Sequence, residues 1–293
     1  MSEAAAAPTA DSGPLAIVCG SGTLPFAVAD AVAKRGRRAT LFGLRGWADP
    51  DRIASYPHHW VAFGQIGRFC RLAHREDCRD VVFIGSVVRP AIWKIRPDFE
   101  ALRLLPRILG LFRGGDDHLL KGVARIVEER GFRLVGAHEV APEILLPEGV
   151  VGQVYPSDRD QADIVKALAL LAATSPFDVG QAVVMADARV LAVEAAEGTD
   201  NMLARIAELR QSGRIAGTTG HGVLVKAAKR GQDQRIDLPS IGPRTIEGAA
   251  RAGLAGIAVV AGSTIVAEPD RIASAADRAR LFVIGVRDET AER

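Results

Sequence analysis

The chain has little cysteine, few aromatic residues and almost no net charge. Its three cysteines, Cys19, Cys70 and Cys78, are odd in number and lack paired metal-ligand spacing. That argues against a disulfide framework and a structural zinc site, and a reducing cytosol fits best. A formal net charge of +2 gives no global field that would recommend nucleic acid as a partner. No apolar run approaches the length of a membrane span, so any membrane contact is expected to be peripheral. The first fourteen residues, MSEAAAAPTADSGP, have no basic stretch followed by an apolar core. They read as a disordered tail and not as a signal peptide.

What is present is ordinary globular material, 48% hydrophobic and 25% charged over 293 residues, enough for one large core or two modest ones, with two domains the better expectation. Among the 37 basic residues arginine far outnumbers lysine. Arginine forks suit phosphate and carboxylate, although a GC-rich coding sequence produces the same bias.

The order of elements suggests the fold. An apolar run, LAIVC (Leu15 to Cys19), is followed by Gly20-Ser21-Gly22 and a helical pattern that Gly36 closes. Strands are predicted at Arg38 to Leu44 and Val81 to Gly85, with a helix near Ile66 to Glu76 between them. A helix near Asp117 to Arg130 and a strand at Phe132 to Ala137 continue the series. Such alternation predicts a Rossmann-like parallel sheet in an N-terminal domain over 15–148. Pro142, Pro147 and Gly149 mark the boundary, and a second α/β domain is expected over 149–287, with a short tail at 288–293. In that domain the pattern predicts a helix opened by Ser157, strands at Gln181 to Met185 and Arg189 to Val193, and a helix from Asn201 to Gln211. A strand ending at Lys226 comes next, followed by an irregular polar segment. A helix from Thr245 to Ala252 and strands at Ala255 to Val260 and Leu281 to Val286 complete it.

Several turns could carry chemistry. Gly20, Ser21 and Gly22 lie between a strand and a helix, where backbone can approach a phosphate; a merely tight turn reads the same. The stricter dinucleotide fingerprint lacks its third glycine, where Pro25 stands, and its strand-end acid. Gly85 and Ser86, with Arg89 just after, would sit at the same edge of the sheet and suit an anion. Gly115-Asp116-Asp117-His118 offers metal donors, yet an acid at a helix start needs no explanation beyond capping. Glu197-Gly198-Thr199-Asp200 combines two carboxylates with a helix N-terminus, which suits a metal-bridged phosphate or, again, capping. His58-His59 reads most simply as a surface loop. Leu102 to Phe112 interleaves Arg103 and Arg107 with leucines, as an interfacial segment or a broken core helix would.

The richest segment is VLVKAAKRGQDQRIDLPSIGP, Val223 to Pro243. It concentrates Lys226, Gln232, Asp233, Arg235 and Asp237 between two apolar elements. Were it extended, Asp233, Arg235 and Asp237 would share one face, with the two acids roughly 13 Å apart. Divided roles are therefore expected, one acid on a metal and one orienting the site or its water. Lys226 and Arg235 would neutralise charge developing on a phosphoryl group. A solvated, charge-balanced loop is the plainer alternative. No serine or cysteine nucleophile has a histidine context that supports it.

This run resembles the UDP-2,3-diacylglucosamine pyrophosphatases of one lipid A pathway branch, and GSGTLP, GSVVRP, GDDHLL and EGTDNML fit the same family in order. Ala228 and Arg230 stand where the family pattern has prolines, which removes no ionisable group. The resemblance spans roughly Leu15 to Val286. It implies magnesium-assisted hydrolysis of UDP-2,3-diacylglucosamine to UMP and the acylated sugar phosphate lipid X. Two domains enclosing the glycolipid, and peripheral association with the cytoplasmic face of a Gram-negative inner membrane, would accompany that activity.

Carried over residue by residue, it places Lys226, Gln232, Asp233, Arg235 and Asp237 at the reacting end. Metal would fall to Asp233, Asp237 and Asp200. Substrate contact is assigned to Gly20, Ser21, Gly22, Gly85, Ser86, Arg89 and Thr199. A homodimer is the base-rate expectation, without nucleic acid. The alternatives are a non-catalytic nucleotide-sugar or lipid-binding protein and a nucleotide-dependent oxidoreductase.

Overall fold

In the computed structural model the residues described are 13–87, 96–104, 107, 116–177, 179–215, 219–266 and 268–288. The chain divides into two compact units, Met1–Glu143 with Arg235–Asp237, and Ile144–Gln234 with Leu238–Arg293. Both are α/β.

The first unit contains β1 (Leu15–Cys19), α1 (Leu24–Lys34), β2 (Ala39–Leu44), α2 (Pro50–Ile53), β3 (His58–Val61), α3 (Ile66–Arg75) and β4 (Asp80–Ile84). It continues with α4 (Phe99–Arg103), α5 (Asp116–Glu128), β5 (Arg133–Leu134) and α6 (Ala137–Val140). Its sheet runs β3-β2-β1-β4-β5, parallel throughout. That is the strand order of the Rossmann family as far as five strands go. The central strand β1 is buried along its whole length, which is why it reads as a continuous apolar run without alternation. One face is packed by Ala16, Val18, Phe42, Val61, Phe69, Ala73 and Phe132.

His58 and His59 correct the loop reading. They belong to β3, paired with Leu41 and Phe42, and His59 Nε2 lies 2.8 Å from Glu76 Oε1. HHWV is an edge strand, and its two imidazoles hide the apolar signal.

The second unit contains β6 (Gly149–Val151), α7 (Asp158–Thr174), β7 (Ala182–Ala186), β8 (Arg189–Val193), α8 (Gly198–Gln211) and β9 (Val223–Lys226). It is completed by β10 (Ser240–Ile241), α9 (Pro243–Arg251), β11 (Gly256–Val260), β12 (Ile265–Val266), α10 (Pro269–Ala279) and β13 (Phe282–Val286). The main sheet has the order β6-β13-β11-β9-β7-β8. Strands β13, β11 and β9 are parallel, and β6, β7 and β8 run antiparallel to their neighbours. Alternate residues feed opposite faces. Leu224, Val184, Ile257 and Val259 meet Met202, Ile206, Ile246, Ala249, Ile272 and Ala276 from α8, α9 and α10. Val223, Val225, Val183 and Ala258 meet Ile164, Ala167, Leu168 and Leu171 of α7.

Local chemistry fixes several of these elements. Ser157 caps α7 in a reciprocal box with Asp160: the Asp160 carboxylate accepts Ser157 N–H at 2.9 Å, and Ser157 Oγ accepts Asp160 N–H at 3.3 Å. Asp187 and Ala188, with φ of 54° and 60°, make the left-handed two-residue turn that a β7–β8 hairpin prefers. The buried Asp163 carboxylate of α7 holds that turn, accepting Asp187 N–H at 2.9 Å and Ala188 N–H at 2.6 Å. In the first unit Asp80, 2% exposed, receives Arg133 Nε at 2.7 Å and Arg37 Nη2 at 2.6 Å. Buried charge is tolerated there because it is paired on both sides.

Candidate active site

Ligands of open α/β sheets gather beyond the carboxyl ends of the parallel strands. In the second unit that edge carries Lys226, the last residue of β9. The antiparallel strands bring further polar groups to the same edge, because Ala182 of β7 stands opposite Lys226 and β8 ends at Val193.

Lys226 is 7% exposed. Its Nζ donates to Thr199 Oγ1 at 3.1 Å and to the Ser240 carbonyl at 2.9 Å. Thr199 lies in the first turn of α8, so its hydroxyl and the end of β9 meet at a helix N-terminus. The Thr199 hydroxyl donates onward to Glu194 Oε1 at 2.8 Å. Gln232 Oε1 accepts Gln181 Nε2 at 3.1 Å and Lys229 N–H at 2.9 Å. Lys226, Thr199 and Gln232, all assigned from sequence, thus join one hydrogen-bonded network. Glu194 and Gln181, which link these residues, carry no sequence motif. Their only signal is position, directly after β8 and directly before β7.

The charged run itself is irregular. Gln234 to Ile236 form a turn, so the extended alternation that would set Asp233, Arg235 and Asp237 on one face does not occur. Lys226, Gln232 and Asp233 belong to the second unit, whereas Arg235 and Asp237 belong to the first. Arg235 Nη1 donates to Glu128 Oε1 at 2.8 Å, both side chains being 38% exposed. Arg230 N–H donates to Ser175 Oγ at 2.6 Å, which pins the loop near the end of α7.

Of the acids assigned to metal, Asp200 pairs with Arg244 at 2.7 Å on the surface. Among the described residues no three His, Cys, Asp or Glu side chains come together as a metal site. The donor chemistry still suits magnesium, a hard cation that commonly takes one or two carboxylates and completes its shell with water and substrate phosphate. Asp233 and Asp237 of the motif are both half-buried.

In the first unit the two glycine-bearing loops are joined to each other. Ser21 N–H donates to the Ser86 carbonyl at 2.8 Å, Ser86 N–H to the Ser21 carbonyl at 3.0 Å, and Ser21 Oγ to the Ser86 carbonyl at 2.8 Å. A Cβ on Gly20 would stand 2.7 Å from Gly85 and Ser86 backbone atoms. Gly85 itself has φ of 99°. These glycines are therefore required for loop-to-loop approach, a reason the phosphate reading did not include. Arg89 lies outside the described residues. The cysteines are not nucleophiles in waiting: burial pushes the Cys19 thiol up to about 12 and the Cys78 thiol up to about 11.

Comparison with known proteins adds the family. A model of the LpxI N-terminal domain matches residues 14–144, and one of the LpxI C-terminal domain matches residues 147–284. The chain is 42% identical over 272 residues to the UDP-2,3-diacylglucosamine pyrophosphatase LpxI of Caulobacter vibrioides, a match covering 93% of this chain and 97% of that protein. With both domain models matched in order and a relative of this identity along nearly its whole length, the chain belongs to the LpxI family.

Proposed function

We propose that this protein hydrolyses the pyrophosphate of UDP-2,3-diacylglucosamine, with water as co-substrate, to UMP and 2,3-diacylglucosamine 1-phosphate in lipid A biosynthesis. The observation that carries the reading is full-length membership of a family whose similar member bears that activity in its name. The buried Lys226 ammonium, held by the half-buried Thr199 at the carboxyl edge of the second sheet, supports it with chemistry. A fixed ammonium in a site shielded from water stabilises negative charge as a phosphoryl group is transferred, and needs no covalent nucleophile.

Within this reading Lys226 and Arg235 neutralise phosphate charge, and Gln232 orients the substrate or the attacking water. Asp233 holds a divalent cation, with Asp237 as the second acid of the motif. Bound magnesium would polarise phosphoryl oxygens and offset charge on the leaving phosphate. Thr199, Gly20, Ser21, Gly22, Gly85, Ser86 and Arg89 remain assigned to substrate contact.

A peripheral stay at the cytoplasmic face of the inner membrane belongs to the same proposal, since the substrate is a diacylated lipid. No helix among the described residues is long and apolar enough to cross a membrane. Phe99 and Leu102 of α4 are 66% and 50% exposed, and Arg103 lies over the Phe99 ring at 4.4 Å. Exposed apolar groups beside a cation suit a headgroup boundary. Arg107 is instead paired twice with Glu129, at 2.6 and 2.8 Å.

The experiment for the site is Asp233→Ala. It is expected to abolish UMP release while leaving glycolipid binding measurable, because the carboxylate acts mainly in the transition state. Near-normal turnover in that variant would remove Asp233 from the mechanism.

A further inference from the structure

Glu194 lies immediately after β8, and its two carboxylate oxygens serve two different arms of the site. Oε1 accepts the Thr199 hydroxyl at 2.8 Å, and Oε2 accepts the Gln181 backbone N–H at 2.9 Å. The first arm continues from Thr199 to Lys226 Nζ at 3.1 Å. The second continues from Gln181 Nε2 to Gln232 Oε1 at 3.1 Å.

The direction of each arm is fixed by what its ends can do. An ammonium only donates, so Thr199 receives that bond on a lone pair and its single proton goes to Glu194. A backbone N–H only donates, so the Gln232 atom facing Lys229 N–H at 2.9 Å is the amide oxygen, and Gln181 must present its NH2 to it. Two acceptor oxygens, one for each donor, are what this arrangement requires at position 194. Electrostatics point the same way. Lys226 places a buried cation at the N-terminal turn of α8, where the helix dipole opposes it, and a neighbouring carboxylate offsets that cost.

The backbone leaves a place for this side chain. Gly180 faces Glu194 across the open end of the hairpin, its N–H donating to the Glu194 carbonyl at 3.0 Å. A Cβ at 180 would stand 2.5 Å from the Glu194 carbonyl oxygen and 2.6 Å from Glu194 Cβ and Cγ. Gln181, next in sequence, also continues the ladder, its carbonyl accepting Ala227 N–H at 3.1 Å.

We propose that Glu194 is a positioning residue for the hydrolysis, aligning the Lys226 ammonium through Thr199 and the Gln232 carboxamide through Gln181. The inference rests on the reaction assigned above. A purely structural role, closing the β7–β8 hairpin, would affect stability and not the rate of the bound complex.

The test is steady-state UMP release by Glu194→Gln, with melting measured on the same samples. Glutamine keeps the shape and can still accept Gln181 N–H, but then its NH2 faces Thr199 and the relay to Lys226 loses its acceptor. The expected result is a kcat lowered by at least about tenfold, a KM within about twofold and little change in Tm. Thr199→Val should lose kcat similarly, and Thr199→Ser should recover most of that loss by restoring the hydroxyl. The Glu194→Gln/Thr199→Val double variant should be no worse than the poorer single one, as for two groups acting in series. Asp163→Asn, which weakens the other end of the hairpin, should lower Tm and spare kcat.

Wild-type kcat in Glu194→Gln, or losses that multiply in the double variant, would overturn the inference. Should Glu194→Gln fail to fold, the hydroxyl decides: an unimpaired Thr199→Val overturns it equally. Absence of UMP release by the wild-type protein would instead sink the assigned reaction, and the role of Glu194 with it.

Discussion

Lys226 Nζ donates to Thr199 Oγ1 at 3.1 Å across 27 residues of sequence, joining the end of a central strand to the first turn of a helix. The two residues belong to separate motifs, EGTDNML and VLVK, and the fold alone explains why both are there. A lysine buried to this degree is costly unless its donors are occupied, and here the ammonium donates to both Thr199 and the Ser240 carbonyl.

Replacing that ammonium by an apolar group of similar length tests it. Lys226→Met should retain the fold, since methionine fills irregular buried space readily. It should lower kcat about a hundredfold or more, the order lost when one preorganised charge-stabilising group is removed. Folding by circular dichroism together with UMP release would check this, and a folded variant with undiminished kcat would contradict it.

The Asp80 cluster belongs to stability and not to chemistry, because it sits where β4 begins, opposite the ligand-binding edge. Burial pushes this carboxyl up, but hydrogen bonds and charge from Arg133 and Arg37 outweigh burial and hold it below its ordinary value. A carboxyl depressed in the folded state contributes stability that is complete above its unfolded value of about 3.9 and is lost as pH falls through the folded one. Asp80→Asn should cost about 3 kcal/mol at neutral pH, with a deficit that shrinks below about pH 4. Chemical denaturation across pH checks it; a deficit that persists unchanged into acid would contradict the pairing account.

Membrane contact can be tested on α4. Phe99→Ser with Leu102→Ser should reduce partitioning onto anionic phospholipid vesicles by about tenfold, the scale of withdrawing two partly buried apolar side chains. Unchanged sedimentation with vesicles would remove the reason for placing the contact there.

How far the sequence could be read depended on the range of the interactions. Apolar periodicity and caps located most helices and every long strand, because those signals are local: Ser157 opens α7, and LAIVC is a buried strand. Beta3 was hidden by His58 and His59, and α10 by its mixture of alanine and charge after Glu268, whose φ of 59° is a left-handed step into the helix. The site divides the same way. Lys226, Gln232 and Thr199 stood in recognisable runs. The join of Gly20 to Gly85 and the bridging by Glu194 depend on residues brought together by sheet register, and the pairing of Asp200 with Arg244 on the packing of two helices, which no local pattern contains.

Purified protein given UDP-2,3-diacylglucosamine in detergent with magnesium should release UMP and 2,3-diacylglucosamine 1-phosphate in equal amounts, and EDTA should stop it. A folded protein that binds the glycolipid and releases neither product would contradict the hydrolase and favour a binding protein built on the same fold.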